Sequence, residues 1–262
     1  VFIAKYNSSG DLSWNKTWGG SSGEMANSII QTSDGGYAIT GDTMSFGAGG
    51  FDMFIAKFNS SGDISWNTTW GGTIEDWGNS IVQTGDDGYL VAGRTSSFGG
   101  GYNSYVTKFD ESGGLLWDKT WGGSNTDGAY SVANTDDDGF VIFGSTKSYG
   151  AGDYDAYISK YDSTGTILWT STFGGSEFDG INSGLQTTDG GFVATGKTSS
   201  YVAAESYNDL LIIKFDADGV MPGCESPMCK SSSTSTGDPA ATTTTPTATT
   251  GILAIDATKL IN

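Results

Sequence analysis

Residues 52–102 read DMFIAKFNSSGDISWNTTWGGTIEDWGNSIVQTGDDGYLVAGRTSSFGGGY, and with drift this stretch returns along most of the 262-residue chain. The Trp-Gly-Gly at Trp70, Gly71 and Gly72 recurs at Trp18, at Trp121 and as Phe173-Gly174-Gly175, at spacings of 52, 51 and 52 residues. A fixed period of this size signals a repeat architecture, in which a unit buries its faces only against its neighbours. Inside the unit, strand-like residues 80–84 and 89–92 flank Gly85-Asp86-Asp87-Gly88. Asp and Gly supply the positive φ and the local hydrogen bonds that a tight hairpin requires. Residues 53–58 and 64–70 form the third and fourth strands, turned by Asn59-Ser60-Ser61-Gly62. A period of two predicts Ile64, Trp66, Thr68 and Trp70 on one face. No segment has a sustained helical period. The chain is therefore read as all-β: a β-propeller of four-stranded antiparallel blades.

The strand count is uneven. Residues 1–18 supply only third and fourth strands, full units run over 19–70, 71–121 and 122–173, and the last unit has three strands ending near Gly219. This predicts four to five blades with incomplete terminal blades: either the first and last segments share a blade and close a ring, or sheet edges stay open. An open edge is a template for pairing with another chain. The chain begins inside a strand, so Val1 reads as a processed or cut start.

Lys57, Phe58, Asn59, Gly62 and Trp66, with Asp189, Gly190, Gly191, Phe192, Gly196 and Thr198 in the second half of a unit, resemble a β-propeller repeat of secreted bacterial and archaeal proteins. The resemblance spans residues 1 to about 219. It implies the fold and an extracellular or cell-surface location, and little about activity.

Composition narrows the function. The chain has no histidine, which removes the usual general base, proton shuttle and metal ligand. A net charge of −18 argues against nucleic acid and anionic membrane surfaces as partners. No apolar run approaches the roughly 20 residues of a membrane span. After the repeats the composition changes. Cys224 and Cys229, in residues 220–230, are read as a small disulfide-closed turn made in an oxidising compartment. Residues 231–251 form a Ser/Thr/Pro linker of the O-glycosylated stalk type, with Thr242, Thr243, Thr244 and Thr245 as acceptor candidates. Residues 252–262 regain strand character. Ile252, Leu253, Ile255 and Ala257 are the candidate donor strand for a neighbouring subunit's edge.

Candidate sites come in columns. Glu24, Asp76, Asp127 and Asp179 recur once per unit, and such a ring of acids would suit Ca²⁺; the competing reading is a carboxylate that caps a repeated turn. Lys5, Lys57, Lys108, Lys160 and Lys214 form a second column, expected to brace Asp52, Asn103, Asp155 and Asp209. Asn7, Asn15, Asn59 and Asn67 begin N-glycosylation acceptor patterns. Trp77, Phe98, Tyr149 and Tyr201 lie near turns and are candidate sugar-stacking platforms. Arg94, Trp77 and Glu205 break the repeat, with no partner evident from the sequence. These features predict a non-enzymatic structural protein needing no cofactor, which polymerises head to tail with copies of itself. The alternative is a glycan-binding adhesin on a Thr-rich stalk. A hydrolase or lyase rests on analogy of fold alone.

Overall fold

A computed structural model describes residues 1–201 and 208–221, and every regular element among them is a β-strand. Five antiparallel sheets follow one another along the chain. Sheet I holds β1 (Phe2–Tyr6) and β2 (Leu12–Thr17). Sheet II holds β3 (Glu24–Gln31), β4 (Tyr37–Thr43), β5 (Asp52–Phe58) and β6 (Ile64–Trp70). Sheet III holds β7 (Asp76–Gln83), β8 (Tyr89–Thr95), β9 (Asn103–Phe109) and β10 (Leu115–Trp121). Sheet IV holds β11 (Asp127–Asn134), β12 (Phe140–Thr146), β13 (Asp155–Tyr161) and β14 (Ile167–Phe173). Sheet V holds β15 (Asp179–Gln186), β16 (Phe192–Thr198) and β17 (Asp209–Phe215), with no fourth strand among the described residues. Sheet I stays a two-stranded sheet of its own and shares no ladder with sheet V. The one-blade closure is thus not what the described residues show.

One interface repeats down the stack. The front of sheet I sets Ile3 and Trp18 against Phe54, Ala56 and Phe58 on the rear of sheet II. Met53, Ile55 and Trp70 on the front of sheet II meet Tyr89, Val91, Tyr105 and Phe109. The same pairing joins sheets III and IV, then IV and V. Each Trp-Gly-Gly aromatic lies on the next sheet's third strand: Trp18 on Phe54 and Trp70 on Tyr105 at 4.4 Å, Trp121 on Tyr157 at 4.6 Å, Phe173 on Phe215 at 4.7 Å. Burying one such ring contributes about 1.5–3 kcal/mol. These aromatics are therefore packing residues.

Two details depart from the sequence reading, both through bulges. The register slips between Lys57 and Phe58, so Ile64 pairs with Phe58 while Trp66 pairs with Lys57. Ile64 accordingly packs into the gap between sheets I and II, on the face opposite Trp66 and Trp70. A second slip between Gly78 and Ser80 interrupts the alternation of the first strand. β7 consequently begins at Asp76, four residues before the pattern suggests.

The two outer faces of the stack lack this packing. Phe2 and Tyr6 on the rear of sheet I are 66% and 60% exposed, whereas their counterparts Phe54 and Phe58 are 0% and 2% exposed. Leu210 and Ile212 on the front of sheet V are 75% and 65% exposed, against 0% for Met53 and Ile55. Met25 and Ile29 on β3 are also exposed, next to the place where sheet I has no inner strands.

Candidate binding face

Antiparallel pairing puts the connections of every sheet at two ends. The turn end carries the Asp-Gly hairpins and the third-to-fourth-strand turns. The loop end carries the longer second-to-third-strand loops and the sheet-to-sheet links.

At the turn end, Lys57, Lys108, Lys160 and Lys214 reach the hairpin aspartates Asp34, Asp86, Asp137 and Asp189 at 2.7, 2.6, 2.8 and 2.9 Å. The expected partners were Asp52 and its column, but those residues begin the same strand and lie at its far end. The lysine instead ties its third strand to the neighbouring hairpin. Hydrogen bonds from Lys57, Thr32 and the Gly36 amide hold the Asp34 carboxyl well below its ordinary range. The Lys160 and Thr135 hydrogen bonds bring Asp137 to about 2. Lys5 has no Asp-Gly hairpin in its own sheet among the described residues and lies 5.6 Å over the Tyr37 ring of sheet II. A cleft of about 530 Å³ opens between sheets III and IV here, lined by Thr84, Asp86, Lys108, Asn134, Asp138 and Phe140. Its lysine is already bound to Thr84 and Asp86.

Also at the turn end, the glycosylation candidates Asn7 and Asn59 cap their own turns. Asn7 Oδ1 accepts the Ser9 and Asp11 amides at 2.9 Å, and Asn59 Oδ1 accepts those of Ser61 and Asp63 at 3.0 and 2.9 Å. Asp110 and Asp162 hold the same position with the same bonds. Turn chemistry therefore accounts for both asparagines without a glycan. Asn15 is exposed on the open rear of sheet I, and Asn67 is half-buried on β6.

At the loop end, three of the four acids in the column each accept three protein donors. Asp76 accepts the Gly72 amide at 2.8 Å, the Ser97 hydroxyl at 2.7 Å and the Thr95 hydroxyl. Asp127 and Asp179 repeat this set with Gly123, Ser148 and Thr146, and with Gly175, Ser200 and Thr198. Glu24 accepts the Thr43 hydroxyl at 3.3 Å. The capping role is the one this geometry supports, and among the described residues no group of three or more acids or thiols is arranged to hold a metal. Asp52 and Asp155 lie beside Asp76 and Asp179, and a Cβ on Gly71 or Gly174 would run into both members of each pair. Burial, with the neighbouring carboxylate adding to it, pushes Asp52 and Asp155 up to about 6.

Three of the four platform candidates are half-buried and engaged with residues of the repeats. Phe98 packs on Trp70 at 5.3 Å and Tyr149 on Trp121 at 5.1 Å. The Tyr149 and Tyr201 hydroxyls donate to the Gly122 and Gly174 carbonyls at 3.0 and 2.9 Å. Trp77 differs. It is cross-strand partner to Arg94, whose guanidinium lies 4.1 Å over its ring and 5.4 Å from that of Tyr102. Tyr102 stands 5.4 Å and Phe51 6.2 Å from Trp77, and the Tyr102 hydroxyl donates to Glu75 at 2.6 Å. All five side chains are half-buried. Two of the three repeat-breakers, Trp77 and Arg94, are thus each other's partner. The bulge between Gly78 and Ser80 sets them at unequal distances from the intervening hairpin, so counting outward from the turn does not pair them. Lys197 over Phe178 at 4.6 Å and Lys147 over Tyr154 at 5.3 Å extend the same pattern to sheets IV and V.

Glu205, Cys224, Cys229, Thr242, Thr243, Thr244, Thr245, Ile252, Leu253, Ile255 and Ala257 lie outside the described residues. No helix among the described residues is long and apolar enough to cross a membrane.

No protein-family model matches the chain, and no curated protein matches it. Among solved structures it is similar to a protein of unknown function from Bacteroides caccae, at 10% identity and a TM-score of 0.45, over 81% of this chain and 67% of that one.

Proposed function

We propose that this chain is a non-catalytic, extracellular structural subunit, an open propeller-like stack of blades that assembles end to end with copies of itself. One observation carries the reading. The front of sheet V and the rear of sheet I are the two halves of the interface buried four times between successive sheets, yet both are exposed. Each half fits the other because each is a copy of a pair already packed inside the molecule.

Magnitudes decide what else assembly needs. Phe2, Tyr6, Leu210 and Ile212 would contribute about 1.5–3 kcal/mol apiece on burial. Association costs about 4–15 kcal/mol in lost freedom. Face packing alone therefore gives weak contacts. Main-chain pairing at the edge of β17, unpaired among the described residues, supplies the remainder, with residues 252–262 of a neighbour as the donor strand and Ile252, Leu253 and Ile255 as its apolar anchors. A head-to-tail contact of this kind does not close on itself and yields a filament or layer. The extracellular location follows from the repeat resemblance and from the two cysteines. Light scattering of the purified chain tests the reading: it forms oligomers that grow with concentration, and both L210K/I212K and removal of residues 252–262 shift it to a folded monomer. Unchanged oligomers in both variants would overturn it.

A second reading, a glycan-binding adhesin, is favoured by the half-exposed cluster around Trp77 and Arg94.

A further inference from the structure

Arg94 is the only arginine in the chain. Its counterparts along the repeat are Asp42, Ser145 and Lys197, and those of Trp77 are Met25, Gly128 and Gly180, so both residues break the pattern at one place. The six ion pairs among the described residues all use lysines. Arg94 instead sets its guanidinium carbon 4.1 Å over the Trp77 ring and 5.4 Å from that of Tyr102. A guanidinium stacked on a ring keeps its N–H donors in its own plane, pointing past the ring edge, and has already lost much of its rotamer freedom. That is the arrangement in which arginine takes a carboxylate through two parallel hydrogen bonds.

The two nearby acids each accept a hydrogen bond from another residue, and Asp42 also feels the Arg94 charge. Glu75 accepts the Tyr102 hydroxyl at 2.6 Å, which also fixes that ring, and Asp42 accepts the Asn27 amide at 3.2 Å. Beside the guanidinium stand the flat apolar surfaces of Phe51, Trp77 and Tyr102. A pyranose has the complementary form: a face of C–H groups that lies on an aromatic ring, and a C6 substituent projecting near the ring plane. When C6 is a carboxylate, the ring covers the aromatic shelf while the acid reaches the guanidinium edge. An acidic peptide offers the carboxylate without the flat C–H face.

We propose that Arg94, Trp77 and Tyr102 form a binding site for a uronic acid unit of an acidic saccharide. Arg94, held over Trp77, takes the carboxylate; the sugar ring lies beside it against the edge of Trp77 and the ring of Tyr102, and Glu75 positions Tyr102. The site lies at the loop end of sheet III, away from the outer faces of sheets I and V, so it stands or falls separately from end-to-end assembly.

Isothermal titration of the full chain with trigalacturonate and triglucuronate tests the proposal, with the methyl esters of both and hexaglutamate as comparison probes. One of the two acids binds. Its ester and hexaglutamate bind at least about tenfold more weakly, as the loss of a charge-assisted pair implies. R94Q loses the preference for acid over ester while its thermal unfolding is unchanged, and W77L weakens acid and ester together. Absence of binding by both acids at millimolar concentration overturns the proposal. So does equal binding of acid and ester, equal binding of hexaglutamate, or an R94Q variant that binds like the parent.

Discussion

Asp52 illustrates how single residues are set by their neighbours. Its Oδ2 accepts the Ala48 and Gly49 amides at 3.0 and 3.2 Å, yet burial and the nearby Asp76 raise it to about 6. A carboxyl whose folded pKa lies above its unfolded value of about 3.9 contributes stability below that value and loses it as pH rises through the folded pKa. Sheet III has already replaced this acid: Asn103 holds the position beside Asp127 and donates to the Phe98 carbonyl at 3.0 Å. D52N and D155N should therefore raise the free energy of unfolding by about 1 kcal/mol at pH 7.5 and leave it unchanged near pH 4, measured by urea denaturation at both values. A destabilised variant at pH 7.5 would contradict this account of the pair. The hairpin acids have the opposite sign. Asp137, at about 2, contributes stability above its unfolded value that is lost as pH falls through about 2. Because Asp137 is largely exposed, K160M should cost only about 1 kcal/mol in the same titration. The lysine and aspartate columns were both legible in the sequence; their pairing was not. Spacing along a strand suggests the nearest acid, whereas the actual partner comes from the adjacent hairpin across a ladder.

At the scale of the element, each first strand bulges opposite a glycine of the second. The slips at Ala26/Ser28, Gly78/Ser80, Ala129/Ser131 and Ile181/Ser183 face Gly41, Gly93, Gly144 and Gly196. A Cβ on Gly93 would press into the Trp77 carbonyl, and one on Gly144 into the Gly128 carbonyl, both backbone atoms that cannot step aside. G144A should lower the unfolding free energy by about 2 kcal/mol or more, and a variant as stable as the parent would contradict the bulge assignment. The Asp-Gly hairpins allow the reverse test. Their third residue has positive φ, being glycine at Gly35 and Gly190 but aspartate at Asp87 and Asp138, with φ of 61° and 63°. D138G should stabilise the protein by about 0.5–1 kcal/mol, read as a higher urea midpoint. Hairpins of this kind are written in local chemistry, and the sequence showed them with their register. Bulges leave no such mark, because the extra residue only shifts the alternation, and so the first strand was read four residues short.

For the whole molecule, the period specifies four-stranded sheets repeating along the chain and leaves their number at four or five; the structure gives five sheets. The period leaves undetermined how the ends are treated, because the first and last units carry residues similar to those of the internal ones. Tyr6 is the counterpart of Phe58, and Ile212 of Ile55; one member of each pair is exposed and the other buried. The Arg94 cluster was hidden for the opposite reason: it is where the repeat stops repeating, so no column identified its partners. The measurement that bears most directly on the end-to-end account is electron microscopy of the purified full-length chain beside L210K/I212K. Filaments or layers with a repeat of one stack, lost in the variant, are the predicted result. Discrete single particles in the parent at every concentration, with Phe2 and Leu210 covered by the same chain, would contradict it.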